Sequence, residues 1–96
     1  MPRYVLLLKW TDQGVKNAKD TVKRAAAARQ AFEKKKARML DCYWTLGRYD
    51  LVVTADAPDD ETMTAISIGL AALGNVKTMT MRAFAEDDMR KILEKV

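Results

Sequence analysis

The chain has 96 residues, of which 49% are hydrophobic and 31% are charged, and its formal net charge is +4. This length predicts a single domain over residues 1–96, and the composition excludes a disordered chain. Histidine is absent, which excludes serine–histidine and cysteine–histidine nucleophile pairs and histidine-ligated zinc or haem. We therefore predict no metal site and no cofactor.

The cysteine count and the apolar runs set expectations for location. The single cysteine, Cys42, cannot form an internal disulfide, and its apolar neighbours predict a buried thiol in a reducing compartment. An apolar run from Tyr4 to Leu8 is followed at once by Lys9, so we predict neither a signal peptide nor an anchor. The longest uncharged run, Thr62 to Val76, is shorter than the roughly 20 residues that cross a bilayer. We expect a cytoplasmic protein that does not bind membranes.

The first strand is predicted over about Arg3 to Trp10, where both alternating residue sets are apolar, so we expect both of its faces to be covered. Thr11 can cap a short helical turn that Gly14 loosens, and Asp20 is one candidate cap for a helix over Thr21 to Ala37. Apolar residues recur at helical spacing from just before this helix onward, at Ala18, Val22, Ala25, Ala28 and Phe32. Their helical spacing predicts an amphipathic surface helix with basic outer sides.

The most distinctive stretch, Cys42 to Val53, has the composition of a β-hairpin. A glycine at the first central position suits a two-residue type II′ turn, which we place at Gly47 and Arg48. The resulting pairs are Leu46 with Tyr49, Thr45 with Asp50, Trp44 with Leu51 and Tyr43 with Val52. The predicted core face carries Cys42, Trp44, Leu46, Tyr49, Leu51 and Val53, and the mixed face carries Asp41, Tyr43, Thr45, Asp50, Val52 and Thr54.

A second helix is predicted after Pro58, whose acidic neighbours Asp59 to Glu61 suit the positive end of a helix. No charge follows until Lys77, so this helix, about 62–74, has no charged face and should be covered on more than one side. Its outer face either joins dimers into a larger assembly or is covered by the C-terminal helix. A fourth strand is predicted over Asn75 to Phe84. The residues expected to dock the C-terminal helix are Met89, Ile92, Leu93 and Val96.

The element order, β-α-β-β-α-β with a short C-terminal helix, is that of an α+β, ferredoxin-like fold. The first and third strands are central in that fold, and both helices cover one face of the sheet. Because the first strand is apolar on both sides, the other face needs a cover. We predict a homodimer that packs sheet against sheet, and no monomer in solution.

The segments that carry a resemblance are Leu7 to Asp20, Tyr43 to Val53, Ala57 to Glu61 and Leu73 to Val76. On these segments the protein resembles the GYD-domain family, and the resemblance spans most of the chain. The resemblance implies a ferredoxin-like protomer of the dimeric α+β barrel type. It brings no catalytic residue and no established activity, and Arg48 stands where an acidic residue is common.

Two groups of polar residues are candidate sites. The first combines Tyr49 and Asp50 with residues expected on the mixed face of the hairpin; a carboxylate among hydroxyls could act as acid, base or ligand anchor. The second lies at the end of the first strand, where open sheets often present ligand groups. Together they comprise Tyr43, Thr45, Tyr49, Asp50, Lys9, Trp10 and Asp12. The structural alternative for both groups is turn stabilisation and helix capping.

Nine of the 17 basic residues lie between Lys16 and Arg38, a segment with only two acids. Because the basic residues Lys34 to Arg38 fall at the negative end of the predicted helix, the macrodipole accounts for part of this concentration. No aromatic residue is interleaved with the basic face and no nucleic-acid motif occurs. Nucleic acid is therefore not an expected partner.

Three functions remain open from the sequence. The leading interpretation is a small oligomeric binding or accessory protein that holds an apolar or amphipathic small molecule in a protomer cavity or at the barrel interface. One alternative is an enzyme of the cofactor-independent monooxygenase or isomerase kind, by analogy of fold alone. The other is a structural subunit of a higher oligomer.

Overall fold

A computed structural model describes all 96 residues, and it contains four strands and four helices. The strands are β1 (Arg3–Trp10), β2 (Arg38–Trp44), β3 (Leu51–Asp56) and β4 (Val76–Ala83). The helices are α1 (Asp12–Lys16), α2 (Thr21–Lys34), α3 (Asp60–Ala72) and α4 (Glu86–Leu93), with a 3₁₀ turn at Ala18–Asp20. None of the helices is long and apolar enough to cross a membrane.

The four strands form one antiparallel sheet in the order β2-β3-β1-β4. The central strand β1 pairs with β3 and with β4, so that Leu6 lies opposite both Val53 and Thr80. Central positions for β1 and β3 were predicted from the ferredoxin-like order of the elements. The α+β, ferredoxin-like fold is therefore confirmed.

The core lies between one face of the sheet and the helices. Tyr4, Leu6 and Leu8 of β1 are at most 5% exposed, and they pack with the equally buried Phe32 of α2 and Met63 of α3. The residues between them in β1, Val5 and Leu7, are half-buried on the other side of the sheet. We call this second side the open face; its apolar residues are Val5, Leu7, Tyr43, Val52, Met79 and Met81.

The hairpin has the predicted strand register but a different turn. Trp44 pairs with Leu51, as predicted, and the backbone N–H of Thr45 donates to the carbonyl of Asp50 at 2.9 Å. Beyond that bond the chain opens into a loop, and no backbone hydrogen bond joins Leu46 to Tyr49. Gly47 has φ +110°, so a positive φ at this glycine is confirmed, but the two-residue type II′ turn is not.

Two core-face assignments in this loop were wrong. Leu46 is fully exposed, and the Tyr49 hydroxyl donates to the Met79 sulfur at 3.9 Å on the open face. Trp44 remains on the helix side, where its indole N–H donates to Thr21 at 3.0 Å. Side-chain alternation is enforced only where strands are paired. Pairing stops at Trp44 and Leu51, so Trp44 and Tyr49 lie on opposite faces.

Three predictions about the helices need correction. Val22, assigned to the apolar stripe, is 66% exposed, and α2 ends at Lys34 because Lys36 has φ 62°. The C-terminal helix α4 forms, but none of its residues is buried, so it does not dock. Nor does it cover α3, where Ile68 is 64% exposed.

Gly14 has a different role from the loosening of a helical turn. It is buried in α1, and a Cβ placed on it would lie 1.9 Å from the carbonyl oxygen of Asn75. Real Cβ atoms cannot approach so closely, which means that only glycine allows α1 to pack on the start of β4. The same contact is held by the Thr11 N–H, which donates to Asn75 O at 3.1 Å.

Candidate functional site

A cleft of about 310 Å³ separates α2 from α3 above the sheet. We call it the interhelical cleft. Its helix walls consist mainly of small residues: Ala25, Ala28 and Ala31 of α2 and Ala65 and Gly69 of α3. Its floor is formed by the leucines and valines of the central strands, such as Leu8 and Val53. Two helices that rest side by side on a sheet leave a gap when the residues facing each other are too small to fill it.

The residues that line the cleft are mostly apolar, 17 of 22, and none is acidic. The cleft follows the inner side of α2 from Thr21 to Lys35, a length of about 21 Å at 1.5 Å per residue. Its lining also reaches across the sheet, from Cys42 of β2 to Val76 of β4, so the cleft is broad as well as long.

Most of the polar groups in the cleft lie at the end where β1 finishes, and the exposed Lys35 lies at the opposite end of α2. The Trp10 indole N–H is buried there and has no hydrogen-bond partner. Arg24 lines the same end and donates to Asn17 O at 2.7 Å and to Gly14 O at 3.1 Å, which uses two of its five N–H groups. Asn75, which also lines the cleft, accepts from Gln13 through Oδ1, while its amide NH₂ makes no hydrogen bond within the protein.

Cys42, the only cysteine, also lines the cleft. Its thiol pKa is raised because burial disfavours the thiolate, an effect that the nearby Arg29 partly opposes. The sequence predicted a buried thiol, whereas Cys42 is only half-buried, among the apolar residues of the cleft. A protonated, half-buried thiol is a poor nucleophile, but as a unique thiol it can report on access to the cleft.

The predicted site residues fall into separate places. Three of them, Lys9, Thr45 and Tyr49, make hydrogen bonds in or beside the loop of residues 45–50. Lys9 donates from Nζ to Arg48 O at 3.3 Å, the Thr45 hydroxyl donates to Tyr49 O at 2.7 Å, and Tyr49 contacts Met79 as described above. Tyr43, on the open face, is 62% exposed and takes no part in these bonds.

Asp50 and Trp10 are linked through the backbone, whereas Asp12 stands apart. The Asp50 carboxylate accepts the Trp10 backbone N–H at 2.8 Å, and the Asp50 N–H donates to Leu8 O at 2.9 Å. The Trp10 side chain lines the interhelical cleft. Asp12 is exposed in the first turn of α1, behind the cap at Thr11. The Asp50 carboxylate therefore takes the place of a strand acceptor where the pairing of β1 with β3 has ended, while β1 stays paired with β4.

Replacing Asp50 with alanine should lower the free energy of unfolding by about 2 kcal/mol, because the Trp10 N–H loses a charged acceptor. Asp50→Asn keeps an oxygen acceptor and should cost about half as much. Urea denaturation of both variants measures the difference. Wild-type stability in Asp50→Ala would show that the carboxylate is free for chemistry, as the enzyme interpretation requires.

A second pocket, lined mainly by polar side chains, lies between α3 and β4 and was not predicted from the sequence. The Tyr4 hydroxyl donates to the Asp60 carboxylate, and the hydroxyls of Ser67, Thr80 and Thr78 form a chain with spacings of 2.8 and 2.9 Å. The alternating threonines of β4, Thr78 and Thr80, were the signal in the sequence that could have indicated it. Because these hydroxyls satisfy one another, the pocket offers few free polar groups. No three histidine, cysteine, aspartate or glutamate side chains lie close enough to hold a metal ion.

The Tyr4–Asp60 pair predicts a loss of stability in alkali. The pKa of Tyr4 is raised to about 12, because burial disfavours the phenolate and Asp60 accepts the phenolic hydrogen. An unfolded tyrosine has a pKa of about 10, so this contribution is complete below pH 10 and is lost as the pH rises through 12. Unfolding free energies measured from pH 9 to 12 should fall more steeply for wild type than for Tyr4→Phe. Equal slopes of unfolding free energy against pH for wild type and Tyr4→Phe would contradict this prediction.

Comparison with known proteins identifies the family. The sequence profile of the GYD domain matches residues 4–93. The chain belongs to the GYD-domain family. Consistent with this, it is 32% identical over 90 residues to a Thermus thermophilus protein named glutamine synthetase and cystathionine beta-lyase binding protein, with 93% of this chain and 95% of that protein covered.

Two solved structures share the fold of this GYD-domain protein. MtbAldR superposes with a TM-score of 0.67 at 12% identity, over 88% of this chain and 52% of that one, so this chain spans about half the length of that structure. TTHA0845 from Thermus thermophilus superposes with a TM-score of 0.56 at 23% identity, over 88% of this chain and 95% of that one. At these identities the likeness extends to the fold alone.

Proposed function

We propose that this GYD-domain protein is a small binding protein that holds an apolar or amphipathic small molecule in the interhelical cleft. The observation that carries the proposal is the cleft itself, about 310 Å³ with apolar residues on most of its surface. Ligand sites begin at about this volume. A cavity of about 150 Å³ binds benzene, so by proportion this one has room for about a dozen non-hydrogen atoms.

The energetics of packing support an occupant. Cavities left by core truncation cost about 24 cal/mol per Å³, which for a wholly closed void of this size is about 7 kcal/mol. That figure is an upper bound for a cleft with an open side, yet it is comparable with the entire stability of a small domain. A molecule that contacts both helices and the sheet would recover part of it.

Native mass spectrometry of protein purified from its own host tests the proposal. We expect the native mass to exceed the chain mass of 10.8 kDa per subunit by a small organic molecule, and the excess to vanish on denaturation. Gly69→Leu, which places a side chain in the cleft, should be recovered without the excess. A wild-type protein with no bound molecule, or an excess that survives in Gly69→Leu, would contradict the proposal.

We also propose that two copies associate through the open face. The apolar residues of that face run across three neighbouring strands, from Val52 of β3 through Leu7 of β1 to Met79 of β4. A two-fold axis brings the same patch together from both copies and so removes twice that area from water. The substitution Leu7→Glu, which places a charge at the centre of this face, tests the proposal.

A second candidate function is an accessory protein that binds a metabolic enzyme. The name of the Thermus relative favours it, and so does the exposed apolar side of α4, where Met89 is 44% and Leu93 55% exposed. Purified glutamine synthetase and cystathionine beta-lyase should each be tested for co-elution with the protein on a sizing column. Binding that is lost in Leu93→Glu supports this candidate, and separate elution from both enzymes rejects it.

A further inference from the structure

The two ends of the interhelical cleft differ in the polar groups that they offer, which are the exposed ammonium of Lys35 at one end and several donors at the Trp10 end. At the Trp10 end, a buried indole N–H has no acceptor, and the Asn75 amide NH₂ and three N–H groups of Arg24 make no bonds to the protein. Every one of these groups is a donor. Because no acidic residue lines the cleft, no carboxylate of the protein accepts from them there.

We propose that the cleft binds an apolar monocarboxylate, whose carboxylate lies at the Trp10 end and whose apolar body lies between α2 and α3. This inference rests on the proposed function, and it adds the chemical class and the orientation of the ligand. A carboxylate has two oxygens that can accept several hydrogen bonds at once, and it complements the positive charge of Arg24.

The rest of the cleft suits the apolar part of such a ligand. Of its 22 lining residues 17 are hydrophobic, and they come from both helices and from the sheet. A ligand whose body is apolar would therefore contact hydrophobic side chains along most of its length.

Calorimetric titration of the delipidated protein with decanoate, which has twelve non-hydrogen atoms, and with 1-decanol tests the inference. Decanoate should bind at least tenfold more tightly. Arg24→Gln and Trp10→Phe should each weaken decanoate binding about tenfold and change 1-decanol binding less than twofold. Lys23→Gln is the matched control, because it removes the same charge from an exposed neighbouring position outside the cleft. Circular dichroism of each variant verifies folding, and Trp10→Phe supplies the test if Arg24→Gln unfolds.

The labelling rate of Cys42 reports whether the probe occupies the cleft. A bound chain covers the cleft wall, so decanoate should slow the reaction of this thiol with a small disulfide reagent at least fivefold. Equal affinity for decanoate and 1-decanol, or unchanged decanoate affinity in Arg24→Gln and Trp10→Phe, overturns the carboxylate inference but leaves the proposed function in place. Failure of both probes to bind or to protect Cys42 overturns the carboxylate inference and counts against the proposed function as well.

Discussion

Substitution of Gly69 by leucine is expected to raise the free energy of unfolding of the ligand-free protein by about 2 kcal/mol. Glycine in the middle of α3 costs about 1 kcal/mol relative to a good helix former, and a Cβ at this position would meet no atom within 4 Å. Partial burial of the new side chain in the cleft adds about 1 kcal/mol more. For a domain of this size the sum corresponds to a rise of about 10 °C in Tm, measurable by calorimetry.

Gly69→Ala separates the two contributions, because it supplies the helix propensity without filling the cleft. It should be stabilised by about 1 kcal/mol and should leave the labelling rate of Cys42 unchanged. Gly69→Leu, in contrast, should slow that labelling and abolish decanoate binding. If leucine stabilises the protein no more than alanine does, the space between α2 and α3 is smaller than the 310 Å³ cleft. That result would contradict the binding proposal.

Replacement of Leu7 by glutamate is expected to convert a dimer into a monomer. Leu7 lies at the centre of the open face, opposite Val52 on one side and Met79 on the other. In a sheet-to-sheet dimer each copy would bury one unpaired carboxylate, at a cost of several kcal/mol. About 2.8 kcal/mol already weakens association a hundredfold. Light scattering at micromolar concentration should give twice 10.8 kDa for wild type and the single-chain mass for the variant.

Met79→Glu is a second variant for the same face that is less of a risk to folding, since Met79 is 51% exposed in the single chain. Ile68→Glu is the control on the outer side of α3, where the native side chain is 64% exposed and a charge stays in water. It should leave a dimer intact, and it should reduce any larger species to a dimer if the outer face of α3 joins dimers. A wild-type protein of one-chain mass would disprove both interfaces.

The fold was predictable because local residue preferences and the apolar pattern of the chain both agree with it. The apolar pattern of β1 agrees with its place at the centre of the sheet. The acidic start of α3 matches its observed cap, where Asp59 accepts the Thr62 N–H at 2.7 Å. That bond also lowers the pKa of Asp59. Local chemistry of this kind depends on residues close in sequence, so it can be inferred without tertiary structure.

The candidate site was predicted less well, because it depends on distances that periodicity does not encode. Small residues on α2 and α3 are compatible with close helix packing as well as with a cleft, and only the spacing of the two helices on the sheet decides between them. Trp10 was selected as a strand-end residue, but nothing in the sequence showed that its indole would lack an acceptor. The faces of Tyr49 and Leu46 were missed since pairing ends earlier than their composition suggests.

The placement of β1 has a consequence for how the chain reaches its folded state. Arg3 pairs with Asp56 in one ladder and with Ala83 in the other, so the strand made first is the last to have both neighbours. During synthesis, more than half of the chain must emerge before β1 has any strand partner. Contacts so distant in sequence slow folding, and in the meantime an apolar strand with two free edges is prone to aggregate. We therefore expect slow refolding and dependence on chaperones, even though the domain is small.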